Sequence, residues 1–276
     1  MFERIKTALV LVVVVLSCMF ATPSHYPMLI LMVIVATLAG DEWYKLMPKT
    51  DGTDVSAVAS KVYAAIILIT SVVTLYFRDL ALLLWCGAIF VAVFSIYCIK
   101  NYPQYDAWYN KGLTIVGTVL ITATVTAIFS VWLISAWWLM YLFLLVWTAD
   151  SGAYFVGRKL GKRPMVPHVS PKKTIEGLCG GLLTSLIIIV VVQSIYLDHL
   201  NLRQHSAFLL LSLLTVLASV LGDLIESMLK RRAGVKDSGT LLPGHGGILD
   251  RIDSLLTAAP VFAAGIYLLK MIGVEL

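Results

Sequence analysis

The sequence predicts an all-α polytopic membrane protein, and three observations carry that expectation. Of 276 residues, 59% are hydrophobic and only 13% are charged, whereas a soluble domain carries roughly 25% charged residues. The mean hydropathy is +0.90. The apolar residues also gather in stretches near the roughly 20 residues that span a bilayer as a helix. A single soluble core of this length could not bury so much apolar surface, so a bilayer is expected to take up the excess.

In chain order, spans are predicted at Thr7–Thr22, Met28–Gly40, Lys61–Phe77, Leu80–Ile99, Gly112–Phe129, Val131–Ala149, Thr174–Leu197, Ala207–Leu229 and Ser254–Ile272. The second is short and is extended through the interfacial aromatics Trp43 and Tyr44. Arg4 and Lys6 ahead of the first apolar run resemble the start of a signal peptide. No small-residue cleavage site follows, so an uncleaved first helix is expected. Nine spans place the termini on opposite sides. That leaves 18 of the 21 basic residues on the N-terminal side, with Arg78, Arg203 and Lys270 on the other. By the positive-inside rule the N-terminus is cytoplasmic, as are the two long polar connections, Asp150–Lys173 and Lys230–Asp253. Residues 1–78 would hold helices one to three, 79–130 helices four and five, and 131–276 helices six to nine with both connections. The net charge of +5 then reflects cytoplasmic lysines and arginines, and no nucleic-acid partner is expected. Cys18, Cys86, Cys98 and Cys179 lie in apolar stretches without CxxC spacing and read as small hydrophobes.

The chemistry gathers in 131–276. Asp223, Glu226, Ser227 and Lys230 fall at i, i+3, i+4 and i+7, one face of the eighth helix. An ionised Asp costs roughly 3 kcal/mol at mid-bilayer and less near the interface, so an acidic stripe needs cations. An ion pair with Lys230 would serve; so would a divalent metal, which suits hard carboxylate oxygens. Asp250-Arg251-Ile252-Asp253 brings two further carboxylates to the same surface. Between them, Pro243-Gly244-His245-Gly246-Gly247 reads as a turn whose amides can approach an anion closely. Carboxylates from two helix ends, a glycine turn and nearby cations together suit Mg²⁺–nucleotide chemistry. His245 could bond the backbone of its own turn or contact phosphate, and both readings stay open.

A second cluster starts the seventh helix. Ser170 is expected as its N-cap and Pro171 at its first position. Lys172 and Lys173 then fall in the first turn, where the macrodipole disfavours cations by roughly 0.3–1 kcal/mol each. Snorkelling explains either lysine alone; the pair with Thr174 points to phosphate binding. Gly177 and Gly181 form a G-x-x-x-G packing face. Asp150, with Tyr154 one turn later, could bind metal, contact a ribose or base, or pair with Arg158.

These residues carry a family resemblance. S-x-L-K-R, K-D-S-G, P-G-H-G-G and D-R-I-D follow one another between Ser227 and Asp253, supported by L-G-D-x-x-E-S at Leu221–Ser227, A-D-S-G-A-Y at Ala149–Tyr154 and S-P-x-K-T at Ser170–Thr174. The pattern resembles the bacterial phosphatidate cytidylyltransferases, or CDP-diglyceride synthases. The specific match lies in the C-terminal half; the first five spans are similar in hydropathy and approximate length. The resemblance implies that CTP and phosphatidate give CDP-diacylglycerol and pyrophosphate, the lipid phosphate attacking the α-phosphorus in line. It implies Mg²⁺ on Asp223 and Asp250 and a potassium ion as second cation. It further implies a homodimer through the middle spans and a bacterial inner membrane, with the site on the cytoplasmic face. The catalytic set would be Asp223, Asp250, Asp253, Lys230 and Arg231. Asp150, Tyr154, Ser170, Lys172, Lys173, Thr174, Ser227, Lys236, Asp237, His245, Gly246, Gly247 and Arg251 would bind substrate. No general base is required, because a phosphate monoester is ionised near neutral pH.

A CTP-dependent lipid kinase or another lipid cytidylyltransferase would share the metal and triphosphate arguments. An ion or lipid transporter would place ionisable groups or broken helices near the midplane; here the charges gather at one surface, which disfavours it.

Overall fold

The computed structural model describes residues 2–21, 24–47, 57–104, 110–242, 244–271 and 273–274. Thr22 and Ile272 at two predicted span ends, Lys49 in a basic loop and Pro243 of the glycine turn lie outside the described residues, as does the side chain of Arg4. The long helices are α1 (Phe2–Phe20), α2 (Tyr26–Lys45), α3 (Ala57–Tyr76), α4 (Arg78–Lys100), α5 (Asn110–Ile134), α6 (Ala136–Leu160), α7 (Ile175–Tyr196), α8 (Leu202–Arg232) and α10 (Leu255–Met271). A short α9 (Leu249–Ile252) and a hairpin of β1 (Pro164–Val166) and β2 (Ser170–Thr174) complete the chain. Among the described residues seven helices, α2 to α8, are long and apolar enough to cross a membrane; two apolar helices, Lys6–Phe20 and Leu255–Met271, are shorter. The chain is an all-α polytopic membrane protein.

In lipid a helix satisfies its own backbone, and polar side chains must find partners on neighbouring helices. α5 shows this most fully, with Leu113, Leu120, Ile121, Ala123 and Val131 wholly buried. From α2, Trp43 Nε1 donates to the Leu113 carbonyl at 3.0 Å. From α4, Trp85 Nε1 donates to Thr126 Oγ1 at 3.2 Å, and Thr124 Oγ1 donates to the Leu256 carbonyl of α10 at 3.2 Å. α10 is tied to α8 in turn, Thr257 Oγ1 donating to the Ala218 carbonyl at 2.5 Å. The G-x-x-x-G face of α7 packs on α6 as expected: a Cβ on Gly181 would lie 2.7 Å from the Ala149 carbonyl, and one on Gly177 3.0 Å from that of Ala153. Thr184 Oγ1 donates to the Thr148 carbonyl across the same contact at 2.9 Å.

Two expectations about element boundaries are corrected. α6 was expected to end at Ala149; it begins later, capped by the Ser135 hydroxyl accepting from the Trp137 amide at 3.1 Å, and runs on to Leu160. Asp150, Tyr154 and Arg158 therefore stand on a helix and not in a loop. Ser170 does not cap α7, nor does Pro171 open it. Both lie in β2, whose Ser170 and Thr174 pair with Val166 and Pro164. The pre-proline position favours extended backbone, and Thr174 supplies the cap, its hydroxyl accepting from the Gly177 amide at 3.1 Å. Lys172 and Lys173 are strand residues, so the macrodipole argument for an anion beside them falls away.

Candidate active site

Residues of α6, α8 and α9, the residue before α10 and the hairpin converge on a set of carboxylates. α8 contributes Asp223, Glu226, Ser227 and Lys230 on one face, as their spacing predicts. Ser227 Oγ donates to Asp223 Oδ1 at 3.2 Å, and Lys230 Nζ reaches Glu226 Oε2 at 2.5 Å. α9 follows the glycine turn and carries Asp250; Asp253 sits just before α10 and α6 supplies Asp150. Asp150, Asp223, Asp250, Arg251 and Asp253 line one cavity of about 320 Å³. A second, also about 320 Å³, shares Asp150 and Asp223 and adds Tyr154, Lys172, Lys173 and Thr174. Leu178, Leu182, Val216 and Val220 give this second cavity an apolar part of its lining. A third, of about 410 Å³, shares Arg251 with the first and is lined by Lys236, Asp237, His245 and Gly246 among others. Most of the residues singled out from sequence thus line three cavities, neighbouring ones sharing lining residues.

The carboxylates are not alike. Asp250 Oδ1 accepts from Lys230 Nζ at 2.7 Å. Its Oδ2 accepts from the Ser238 amide (2.8 Å), the Ser238 hydroxyl (2.9 Å) and the Gly247 amide (2.8 Å). Burial raises the Asp250 carboxyl, but Lys230 and the Gly247 and Ser238 amides outweigh it and hold it at about 2. Asp253 goes the other way. Burial, and then the nearby Asp223 carboxylate, push it up to about 7. Lys173 ion-pairs with Asp223 Oδ2. The cavity therefore concentrates negative charge that Lys173 and Lys230 offset only in part.

Among the described residues no three His, Cys, Asp or Glu side chains form a ready metal cluster. A site of one or two carboxylates completed by water and phosphate oxygens is nonetheless the arrangement Mg²⁺ prefers. Burial raises Asp253 most, and the share that comes from the Asp223 carboxylate is of the kind a cation relieves. Asp223 and Asp250 share the wall of one cavity, each held by a lysine, Lys173 and Lys230, whose charge such an ion would supplement or replace.

Other expected residues take different places. Lys230 is 9% exposed and held between Glu226 and Asp250, which turns its ammonium towards the protein's own carboxylates. Arg231 donates to the carbonyls of Val169 at 3.4 Å and Val235 at 3.2 Å, bracing the loop after α8. Ser170 belongs to the hairpin and Ser227 to the Asp223 contact. Arg158 donates to the Tyr154 hydroxyl at 3.2 Å, and among the described residues no ion pair joins it to Asp150. The glycine turn has positive φ at Gly244 (73°) and Gly246 (80°), and the Gly247 amide is spent on Asp250. His245 bonds Leu242 through its backbone amide, while its ring Nδ1 is buried without a partner among the described residues. Two residues escaped the sequence reading: Ser238, inside a motif but with no role assigned, and Glu42 of α2, which bonds to Ser238 and to the amides of Ile248 and Leu249. The signal was present in Asp41-Glu42, two adjacent acids ending a hydrophobic span, where burial is expensive without partners.

The sequence model of the Cytidylyltransferase family matches residues 2–269. A phosphatidate cytidylyltransferase of Haemophilus influenzae is 55% identical over 128 residues, 45% of this chain and 44% of that protein. Proteins of the same description from Staphylococcus haemolyticus (49% over 127 residues, 45% of this chain and 46% of that one) and Bacillus subtilis (46% over 126 residues, 45% of each) are also similar. The chain spans about half the length of these curated relatives in each match. The family model, by contrast, runs nearly end to end, and on that ground the chain belongs to the cytidylyltransferase family.

Proposed function

We propose that this protein is a phosphatidate cytidylyltransferase, joining CTP and phosphatidate into CDP-diacylglycerol with release of pyrophosphate. The observation that carries the reading is that two unlike cavities share Asp150 and Asp223, one lined by carboxylates, the other by two lysines and apolar side chains. That second cavity suits a phosphate monoester bearing acyl chains: Lys172 and Lys173 face its headgroup and the triphosphate brought up against it, and Leu178, Leu182, Val216 and Val220 face the chains. The loop of Lys236, Asp237, His245 and Gly246 is the place for the nucleotide. A lipid phosphate oxygen forms the new bond to the α-phosphorus while the bond to pyrophosphate breaks opposite it. Mg²⁺, when bound, would neutralise triphosphate charge and assist departure of pyrophosphate. Asp223 and Asp250 would hold it, Lys230 fixes the rotamer of Asp250, and Lys173 balances Asp223. A potassium ion as second cation, a homodimer, and a site on the cytoplasmic face of a bacterial inner membrane belong to the same proposal. The names of the similar bacterial proteins support the substrate pair.

The test is detergent-purified protein given CTP, Mg²⁺ and phosphatidate, with the lipid product identified by mass. α-Labelled CTP should mark the lipid; transfer of γ-label instead would make the protein a lipid kinase. Ion or lipid flux in proteoliposomes without CTP turnover would overturn the enzyme reading. A narrower expectation concerns the hairpin. Lys172→Ala with Lys173→Ala should raise the apparent KM for CTP about fivefold, equivalent to about 1 kcal/mol of partly screened charge. An unchanged CTP dependence would leave the two lysines as border residues.

A further inference from the structure

Asp250 is held by groups that are themselves held by Glu42. The Ser238 hydroxyl, 2.9 Å from Asp250 Oδ2, also lies 3.0 Å from Glu42 Oε2. Its one proton can be given fully to only one carboxylate at a time, so the hydroxyl stands as a bridge between the two. Glu42 Oε2 accepts the Leu249 amide at 2.8 Å and Oε1 the Ile248 amide at 3.0 Å. A residue of α2 thus closes over the start of α9 across 207 positions of sequence, with only 6% of its surface exposed.

The glycines beside it fit this reading. A Cβ on Gly239 would stand 2.7 Å from Glu42 Oε1, and one on Gly247 would collide with Glu42 Oε2 and Ser238 Oγ. The last glycines of K-D-S-G and P-G-H-G-G are therefore required where the Glu42 carboxylate enters. A buried carboxylate at the end of a hydrophobic helix is costly unless donors surround it; here two amides and a hydroxyl do so.

We infer that Glu42 is a positioning residue for the cation site: by fixing Ser238 and the amides of Ile248 and Leu249, it sets the direction in which Asp250 faces the carboxylate cavity. The inference rests on the role proposed for Asp250, so its test is read without turnover. In the full-length protein in detergent, Mn²⁺ binding is followed by electron paramagnetic resonance, and amide hydrogen exchange is measured across residues 245–252. Glu42→Gln must turn its NH₂ towards one of the two amide donors and cannot satisfy both. It is expected to weaken Mn²⁺ binding about tenfold and to speed exchange at Ile248 and Leu249, with Glu42→Asp recovering part of both. Ser238→Ala, which keeps the two amide bonds but removes the link, should weaken Mn²⁺ with little change in exchange. It serves as the second arm should Glu42→Gln not fold. Unchanged Mn²⁺ affinity in the folded variants overturns the inference, and faster exchange with unchanged affinity would reduce Glu42 to a contact of the fold. Failure of wild-type protein to transfer cytidylyl groups would instead sink the proposed function, and leaves the Mn²⁺ comparison readable.

Discussion

Asp250→Asn should lower turnover by at least about 100-fold, the upper end of what losing a group that holds or orients a metal costs, while the protein stays folded in detergent. The reason lies in the two faces of this carboxylate. Oδ2 accepts three donors from Ser238 and Gly247, and Oδ1 accepts Lys230. An asparagine that keeps its oxygen towards Ser238 and Gly247 points its NH₂ at the Lys230 ammonium, placing donor against donor and deleting one negative charge. Lys230 retains Glu226, so the cost in stability is expected at about 1–3 kcal/mol, read as a lowered unfolding midpoint. Near-wild-type, Mg²⁺-dependent turnover in the purified variant would remove Asp250 from the cation site.

Asp223→Asn should act differently. Asp223 faces both cavities and is paired with Lys173 and Ser227, with a quarter of its side chain exposed. Its loss is expected to raise the half-saturating Mg²⁺ concentration by about 10–100-fold, a larger change than the hairpin lysines produce in CTP dependence. It should also move a titration. Burial first, and Asp223 second, push Asp253 up to about 7, so in the wild type its protonation as pH falls through that value removes negative charge that would favour a bound cation. With one negative neighbour removed, Asp253 releases its proton at lower pH, and the acid limb of Mg²⁺ affinity should shift downward. The measurement is Mg²⁺ titration of activity between pH 5.5 and 8, a window set by this carboxyl. A limb that stays in place would show that Asp223 does not sense Asp253.

Neither variant could have been argued in this detail from the order of residues. That Asp223, Glu226, Ser227 and Lys230 share a face is a property of helical spacing and was readable at once. That Lys230 turns to Asp250 as well as Glu226 depends on where α9 lands. The same division runs through the fold. Long apolar stretches announce helices because lipid offers the backbone no other partner. The end of α6 was missed because Asp150, Tyr154 and Arg158 interrupt its hydrophobic run while still lying on a helix packed against α7. At Ser170, cap and proline chemistry suits a helix start as well as a strand, and pairing with Pro164–Val166 decided for the strand.

What the sequence determined by itself was the solvent, the helical class and the inventory of charged motifs, since each follows from local composition and spacing. Only the tertiary structure decided that Asp150, Asp223, Asp250 and Asp253 share one cavity and that Glu42 closes over α9 from the opposite end of the chain. Helices form from neighbours in sequence. A buried carboxylate, by contrast, is satisfied by whichever donors packing brings within about 3 Å, and those donors need not be near in the chain.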